Sequence, residues 1–292
     1  MIENVNELIK NLVPPKEYLG NETIQVTIAD FSITLSGLSQ RLKEKLSDRY
    51  EGFVGIEGGE KFYATTGIGK NCFIPPTEEG MLNIKEKDIE FKTYIFSTDF
   101  SGFAEMEGRK GFVLLAKPED TKFSIYALEN YLMRVFNILA IEAGGFFLHA
   151  CGVVKNEEVY LFYGPSGSGK SAVASLSPDL GVLSDDMILI LPKDGSYYAS
   201  STPFWGSLAR ALRKKGTFPV KSSFHLVKST ETELTPLENI KAMTTMFSSS
   251  LFGAFNSKRS SKLFENIKKF VNSKKVKELA LPLKPVFWDL IS

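Results

Sequence analysis

The sequence predicts an α/β protein in two parts: a smaller α/β domain over residues 1–120 and a strand–glycine-loop–helix domain over residues 121–292. Three observations predict it. Residues 22–118 read mostly as short strands rich in β-branched and aromatic side chains. A long pattern of helical period begins near Thr121. From Phe146 the order becomes strand, turn, strand, glycine loop, with two adjacent carboxylates soon after.

In the first part, "TIQVTIADFSITL" (Thr23 to Leu35) and "GFVLLAK" (Gly111 to Lys117) are strand-like. "SQRLKEKLSDRY" (Ser39 to Tyr50) is a helix with Leu42 and Leu46 on one side and Ser39 as its cap. The stretch Gly67 to Gly80 reads as a surface loop. The helix that follows repeats apolar residues at Ile125, Leu128, Leu132, Val135, Ile138 and Leu139. Thr121 is the expected N-cap, Gly144-Gly145 the stop, and the second domain its packing partner. "FFLHACGVV" and "EVYLFYG" then form two strands joined at Lys155-Asn156, and "GVLSDDMILI" a strand interrupted at Ser184-Asp185-Asp186. Further helices are expected at Phe204 to Lys214, at Leu237 to Phe247 and in the basic tail from Lys258 to Lys277.

Bulk composition narrows the classes. The 292 residues are 43% hydrophobic and 24% charged, as in a folded globular protein. A net charge of +1 demands neither nucleic acid nor an acidic membrane as partner. Two cysteines, Cys72 and Cys151, are too few for a disulfide framework. The N-terminus lacks a signal-peptide core, and no stretch approaches the roughly 20 apolar residues of a membrane helix. A cytoplasmic protein is expected.

Gly164-Pro165-Ser166-Gly167-Ser168-Gly169-Lys170-Ser171 fits G-x-x-x-x-G-K-[ST] in full, after an apolar strand and before a helix. Glycines let backbone N–H groups turn inward onto phosphate oxygens, and the following helix end adds partial positive charge. Lys170 is expected on the β- and γ-phosphates and Ser171 on Mg²⁺. Two partial motifs are set aside. "TTGIGKN" (Thr65 to Asn71) lacks the first glycine and the Ser/Thr and reads as a loop. "LSGLSQR" (Leu35 to Arg41) is similar to the ABC ATPase signature but precedes the phosphate loop, so it reads as a strand-to-helix turn.

Only fifteen positions separate Lys170 from Asp185. The intervening helix is little more than "SAVASLS" before Pro178 stops it. That compactness, with "LHACGVV", "LFYGPSGSGKS" and "LSPDLGVLSDD", resembles the HPr kinase/phosphorylase and ATP-dependent phosphoenolpyruvate carboxykinase superfamily. The nearest likeness is to HPr kinase-like proteins of peptide-modification gene clusters, also at "STPFWG" (Ser201 to Gly206) and "VFWDLI" (Val286 to Ile291), over roughly residues 130 to 292. The resemblance implies that the second domain has that family's P-loop fold. It also implies an ATP- and Mg²⁺-dependent phosphotransferase acting on a Ser/Thr hydroxyl of a protein or peptide. The glycine-rich segment tied to reverse phosphorolysis, the carboxykinase's substrate arginines and its lysine metal ligand have no counterpart here, so neither HPr as substrate nor decarboxylation follows. A nucleotide-binding regulator without chemistry and a small-molecule kinase stand as alternatives.

Neighbouring strand residues point to opposite faces, so Asp185 and Asp186 can share one phosphate only if the strand ends there. The resemblance implies that the pair supplies a base and a metal ligand, without saying which is which, and sets His149 beside them. His149 otherwise reads as a hydrogen-bonded core residue, and His225 as core. A zinc site at Cys151 is not supported, since four ligands are lacking nearby. Arg210, Arg213, Lys214 and Lys215 form an expected basic helix end. Eight basic residues between Lys258 and Lys277 face a lone Glu265. Both can hold an acidic partner or stand as solvated faces, and no base-stacking aromatic pattern accompanies them, so nucleic acid is not expected. Nor is a membrane, while a homo-oligomer stays open.

Overall fold

The computed structural model describes residues 5–76, 83–177, 179–206, 212–250, 257–281 and 287–291. The chain is mixed α/β with two sheets and two compact units, Met1–Leu139 and Ala140–Ser292.

The first unit runs α1 (Val5–Asn11), β1 (Glu22–Ile28), β2 (Phe31–Leu38), α2 (Gln40–Arg49), β3 (Glu60–Ile68), β4 (Ile84–Ile89), β5 (Lys92–Ser97), β6 (Phe100–Glu105), β7 (Lys110–Leu115) and most of α3 (Thr121–Glu142). Its sheet has the order β1-β2-β3-β7-β6-β5-β4, parallel at β2-β3-β7 and antiparallel elsewhere. Ser39 Oγ accepts from Leu42 N at 3.3 Å, capping α2, whose Leu42 and Leu46 are buried. The "TTGIGKN" segment is not a loop throughout, because Thr65 to Ile68 complete β3. A Cβ on Gly67 would lie 2.2 Å from Pro15, so this glycine serves close packing.

Helix α3 departs from expectation at its start. Asp120, not Thr121, caps it: its Oδ1 accepts from Phe123 N at 3.0 Å. Its stop is as predicted, with Gly144 at φ 85° and Gly145 N donating to Ala140 O at 2.8 Å. Most of the helix packs in the first unit rather than the second. The Tyr131 ring lies over Gly102, where a Cβ would stand 2.7 Å from it, and its hydroxyl donates to Phe103 O at 2.9 Å. Arg134 pairs with Glu86, both 2% exposed, and Arg49 pairs with Glu129. The buried Arg134–Glu86 pair pins the helix, because loss of one partner leaves a buried charge.

The second unit continues with β8 (Phe146–Lys155), β9 (Glu158–Tyr163), α4 (Lys170–Ser175), β10 (Gly181–Ser184), β11 (Met187–Lys193), β12 (Ser196–Ser200), β13 (Thr217–Lys228), β14 (Glu233–Pro236), α5 (Asn239–Ser248), α6 (Ser257–Ser273), β15 (Val276–Leu281) and α7 (Trp288–Ile291). The β8–β9 hairpin turns through Asn156 and Glu157, both at positive φ, the primed geometry that suits strand twist. β10 and β11 run end to end along the other edge of β8. On the far side of β9 lies β13, parallel to it and to β15, and its first residues pair with β12.

Alternation along β8 and β9 splits the core. Leu148, Ala150, Leu161 and Tyr163 face α5 and α6, where Phe146 meets Phe270 edge-on at 5.5 Å. Cys151, Val153, Tyr160 and Phe162 face α4 and the closing helix, with Phe287 and Trp288 against Phe162.

Two other helix expectations change. The tail helix ends at Ser273, and residues from Val276 form β15, whose alternating burial marks a strand. Residues 207–211, and Arg210 with them, lie outside the described residues. Leu212 is in 3₁₀ conformation, Arg213 bridges Val182 and Lys214 N donates to Val182 O at 2.8 Å, so Arg213 to Lys215 are extended chain beyond it rather than helix. Lys214 is also engaged by Glu157 at 2.7 Å.

Candidate functional site

Strand β9 delivers the chain to Gly164, and α4 begins at Lys170. Between them, Gly167 and Gly169 adopt φ 74° and 108°, backbone that side-chain-bearing residues rarely take. A Cβ on Gly164 would fall 2.9 Å from both Leu226 O and Ser168 Oγ. Ser168 is 7% exposed, and its Oγ has no hydrogen-bond partner among the described residues. A buried hydroxyl without a partner costs free energy unless a ligand completes it. Pro165, Ser166 and Gly167 are exposed, as is Ser171 in the first turn of α4. That helix has six residues, too few for a large macrodipole, so loop N–H groups and side chains carry the anion-holding capacity.

Lys170 is buried and folds back over the loop, donating to Gly164 O at 2.8 Å and Pro165 O at 3.1 Å. Burial lowers its pKa, opposed by the Asp186 carboxylate. Both contacts are to neutral carbonyls that anionic oxygens would outcompete.

The strand does end at the carboxylate pair. β10 stops at Ser184, whose buried Oγ accepts from the backbone N of Asp186 and Met187, each at 3.1 Å. This turn releases the two aspartates from strand alternation. Asp186 turns toward β8, where its Oδ1 lies 2.9 Å from His149 Nε2, with both side chains partly exposed. Asp185 turns inward and is 5% exposed; its Oδ1 accepts from Gly206 N at 3.0 Å. His149 stands on the same face of β8 as Cys151, which is sealed beneath α4. Burial, reinforced by Asp185, pushes the Cys151 thiol far up, so it packs rather than reacts.

Three structural roles were not legible in the sequence, although two of them fall within "STPFWG" and "VFWDLI". The segment ending at Gly206 braces the turn: Thr202 Oγ1 donates to Met187 O at 2.7 Å, and a Cβ on Gly206 would lie 2.9 Å from Asp185 Oδ2. Trp288 Nε1 donates to Ser177 Oγ at 2.9 Å, tying the C-terminal segment to the end of α4. Lys228, at the end of β13, brings its Nζ to 3.7 Å from where a Cβ on Gly167 would stand, a second cation beside the loop. His225, expected in the core, is buried but polar in its contacts. Its Nδ1 is 3.4 Å from Glu278 Oε2, which Lys241 also holds at 2.8 Å.

Residues 113–292, well over half of the chain, match the model of the family described as SynChlorMet cassette protein ScmC. The chain belongs to the ScmC family. All the loop, histidine and aspartate positions lie within the matched ScmC region. Among solved structures, the Hpr(Ser) kinase/phosphatase from Coxiella burnetii aligns with 48% of this chain and 81% of its own, at 12% identity and a TM-score of 0.28. No curated protein matches the chain. Among the described residues, no helix is long and apolar enough to cross a membrane.

Asp185, Asp186 and Ser171 supply the hard oxygen donors that Mg²⁺ takes, beside a loop with an uncompleted Ser168 hydroxyl, so the residues present fit an Mg²⁺–nucleotide.

Proposed function

We propose that this ScmC-family chain is a kinase that transfers the γ-phosphoryl group of ATP to a Ser/Thr hydroxyl of a protein or peptide. The observation that carries the reading is the His149–Asp186 contact at 2.9 Å beside a complete phosphate loop whose lysine feels the Asp186 charge. A nucleotide-binding regulator needs the loop, but it has no use for a partly exposed histidine–carboxylate pair beside it.

Loop N–H groups, Ser168 Oγ and Lys170 hold the triphosphate. Asp186 accepts the proton of the incoming hydroxyl, and His149 fixes the carboxylate's orientation. The acceptor oxygen forms its bond to the γ-phosphorus as the bond to the β,γ-bridging oxygen breaks, and ADP leaves. Asp185, held by Gly206 N, and Ser171 would hold Mg²⁺, which neutralises charge on the β- and γ-oxygens when bound. Most of the rate enhancement then comes from positioning and fixed charge.

The test is transfer from γ-labelled ATP to proteins and peptides of a lysate, followed by phosphoserine and phosphothreonine analysis. Lys170→Ala should abolish transfer and weaken ATP binding by about a hundredfold or more, as loss of a buried charge-assisted contact does. Wild-type ATP affinity in that variant would sink the site. Tight Mg²⁺-dependent binding without transfer to any acceptor would favour the regulator.

A further inference from the structure

A cavity of about 390 Å³ adjoins the phosphate loop on the sheet face that carries α5, lined by Pro165, His225, Thr244, Thr245, Ser248 and Ser249. Its size lies in the range of small-ligand pockets, roughly 300–1,000 Å³. We infer that it takes the nucleoside of the bound nucleotide. This rests on the phosphate-loop reading above.

Position decides between the two ends of the nucleotide. The transferred phosphoryl belongs beside His149 and Asp186, on the β8 side of β9. The nucleoside, at the other end of the triphosphate, must leave away from that pair, toward β13 on the opposite side of β9. His225 is the β13 residue paired with Tyr163, the last residue before the loop. Two strand spacings, roughly 10 Å, therefore separate it from β8. Ser249 O accepts from His149 N at 2.8 Å, so the Ser249 end of the cavity borders β8 and the His225 end is the one that lies away from the pair and suits the nucleoside.

Chemistry agrees. Thr244 and Ser248 donate their hydroxyl protons to the carbonyls of Ile240 and Thr244, at 3.0 Å each, whereas Thr245 Oγ1 is already engaged by Lys241 O at 2.8 Å and the Tyr163 hydroxyl at 3.2 Å. The lone pairs of Thr244 and Ser248 are what they offer a ligand, so the cavity suits a ligand rich in donors, such as ribose hydroxyls or an exocyclic amino group. The His225 ring, held at its Nδ1 by Glu278, and the apolar Pro165 ring line the cavity and offer a base surface to pack on.

Calorimetric titration of the full chain with Mg²⁺–ATP and with Mg²⁺–tripolyphosphate tests this, because tripolyphosphate occupies the loop but has no nucleoside. Thr244 and Ser248 are exposed on α5, so Ser248→Phe fills the cavity without touching the core, and Thr244→Val removes only a hydroxyl. Ser248→Phe should weaken ATP by at least about tenfold, and Thr244→Val by about threefold, with tripolyphosphate unchanged in both. Unchanged ATP affinity in Ser248→Phe, or equal loss for both ligands, overturns the inference and leaves the loop reading standing. A rise in acceptor KM with ATP affinity intact also overturns it, by giving the cavity to the acceptor. Failure of the wild type to bind either ligand overturns the loop reading, and this inference with it.

Discussion

Asp185 and Asp186 are adjacent in the chain but occupy different environments, and the kinase proposal divides their roles on that difference. Asp186 is partly exposed and meets His149; Asp185 is buried and held by a backbone N–H. Asp186→Asn should therefore cut transfer by about 10²–10⁴ while leaving ATP affinity within a few-fold, since general-base removal acts on the transition state. Asp185→Asn should instead shift the Mg²⁺ concentration for half-maximal activity upward. If single-turnover rates with saturating Mg²⁺ fall equally in both variants, the division of roles is wrong. Lys170 adds a pH signature. Burial lowers its pKa, so without nucleotide it loses its proton at a lower pH than a free lysine, and only the ammonium attracts phosphate. ATP affinity should fall as pH rises from neutral into the alkaline range, with proton uptake on binding, read by calorimetry in buffers of different ionisation enthalpy. Lys170→Arg, charged throughout, should lose that proton uptake.

The site depends on how two short connections are braced: the two-residue break between β10 and β11, and the segment from Ser201 to Gly206. Gly206 N is the donor to Asp185, and there is no room for a Cβ beside that carboxylate. Gly206→Ala should reduce transfer at least about tenfold and raise the Mg²⁺ requirement, with far-UV circular dichroism and tripolyphosphate affinity unchanged. Wild-type kinetics in that variant would show that Asp185 needs no such brace. Local features of this kind were partly legible in the sequence. The loop, the His149 strand beside it, the interruption at Asp185-Asp186 and the α2 cap at Ser39 follow from short-range periodicity and turn chemistry. What was not legible is non-local. Gly206 reaches Asp185 across twenty-one positions, and Thr244 and Ser248 share a cavity with Pro165 of the loop only because α5 packs on the sheet face beside it. Thr121 reads as a cap because threonine caps helices, yet Asp120 beside it accepts the N3 amide. The basic run to Lys277 reads as one helix because charge hides the alternation that makes Val276, Leu279 and Leu281 a buried strand.

At the scale of the chain, every candidate catalytic and nucleotide-binding residue lies in the unit Ala140–Ser292, while the family match begins at residue 113 and so includes part of β7 and all of α3. The first unit has its own sheet and core, and the residues lining the cavity beside the loop all belong to the second unit. Nucleotide binding should therefore stabilise the second unit alone. By mass action the gain is about 2.7 kcal/mol at a ligand concentration a hundred times Kd. Hydrogen exchange with Mg²⁺–ATP should slow at Gly164 to Lys170, at the Ser184 to Met187 turn and along α5, and stay unchanged in β1 to β6. The Lys170→Ala variant should show none of this protection. Protection spreading into β1 to β6 would show instead that α3, which carries residues of both units, transmits occupancy of the loop to the first unit. That would give the first unit a part in catalysis or in acceptor choice.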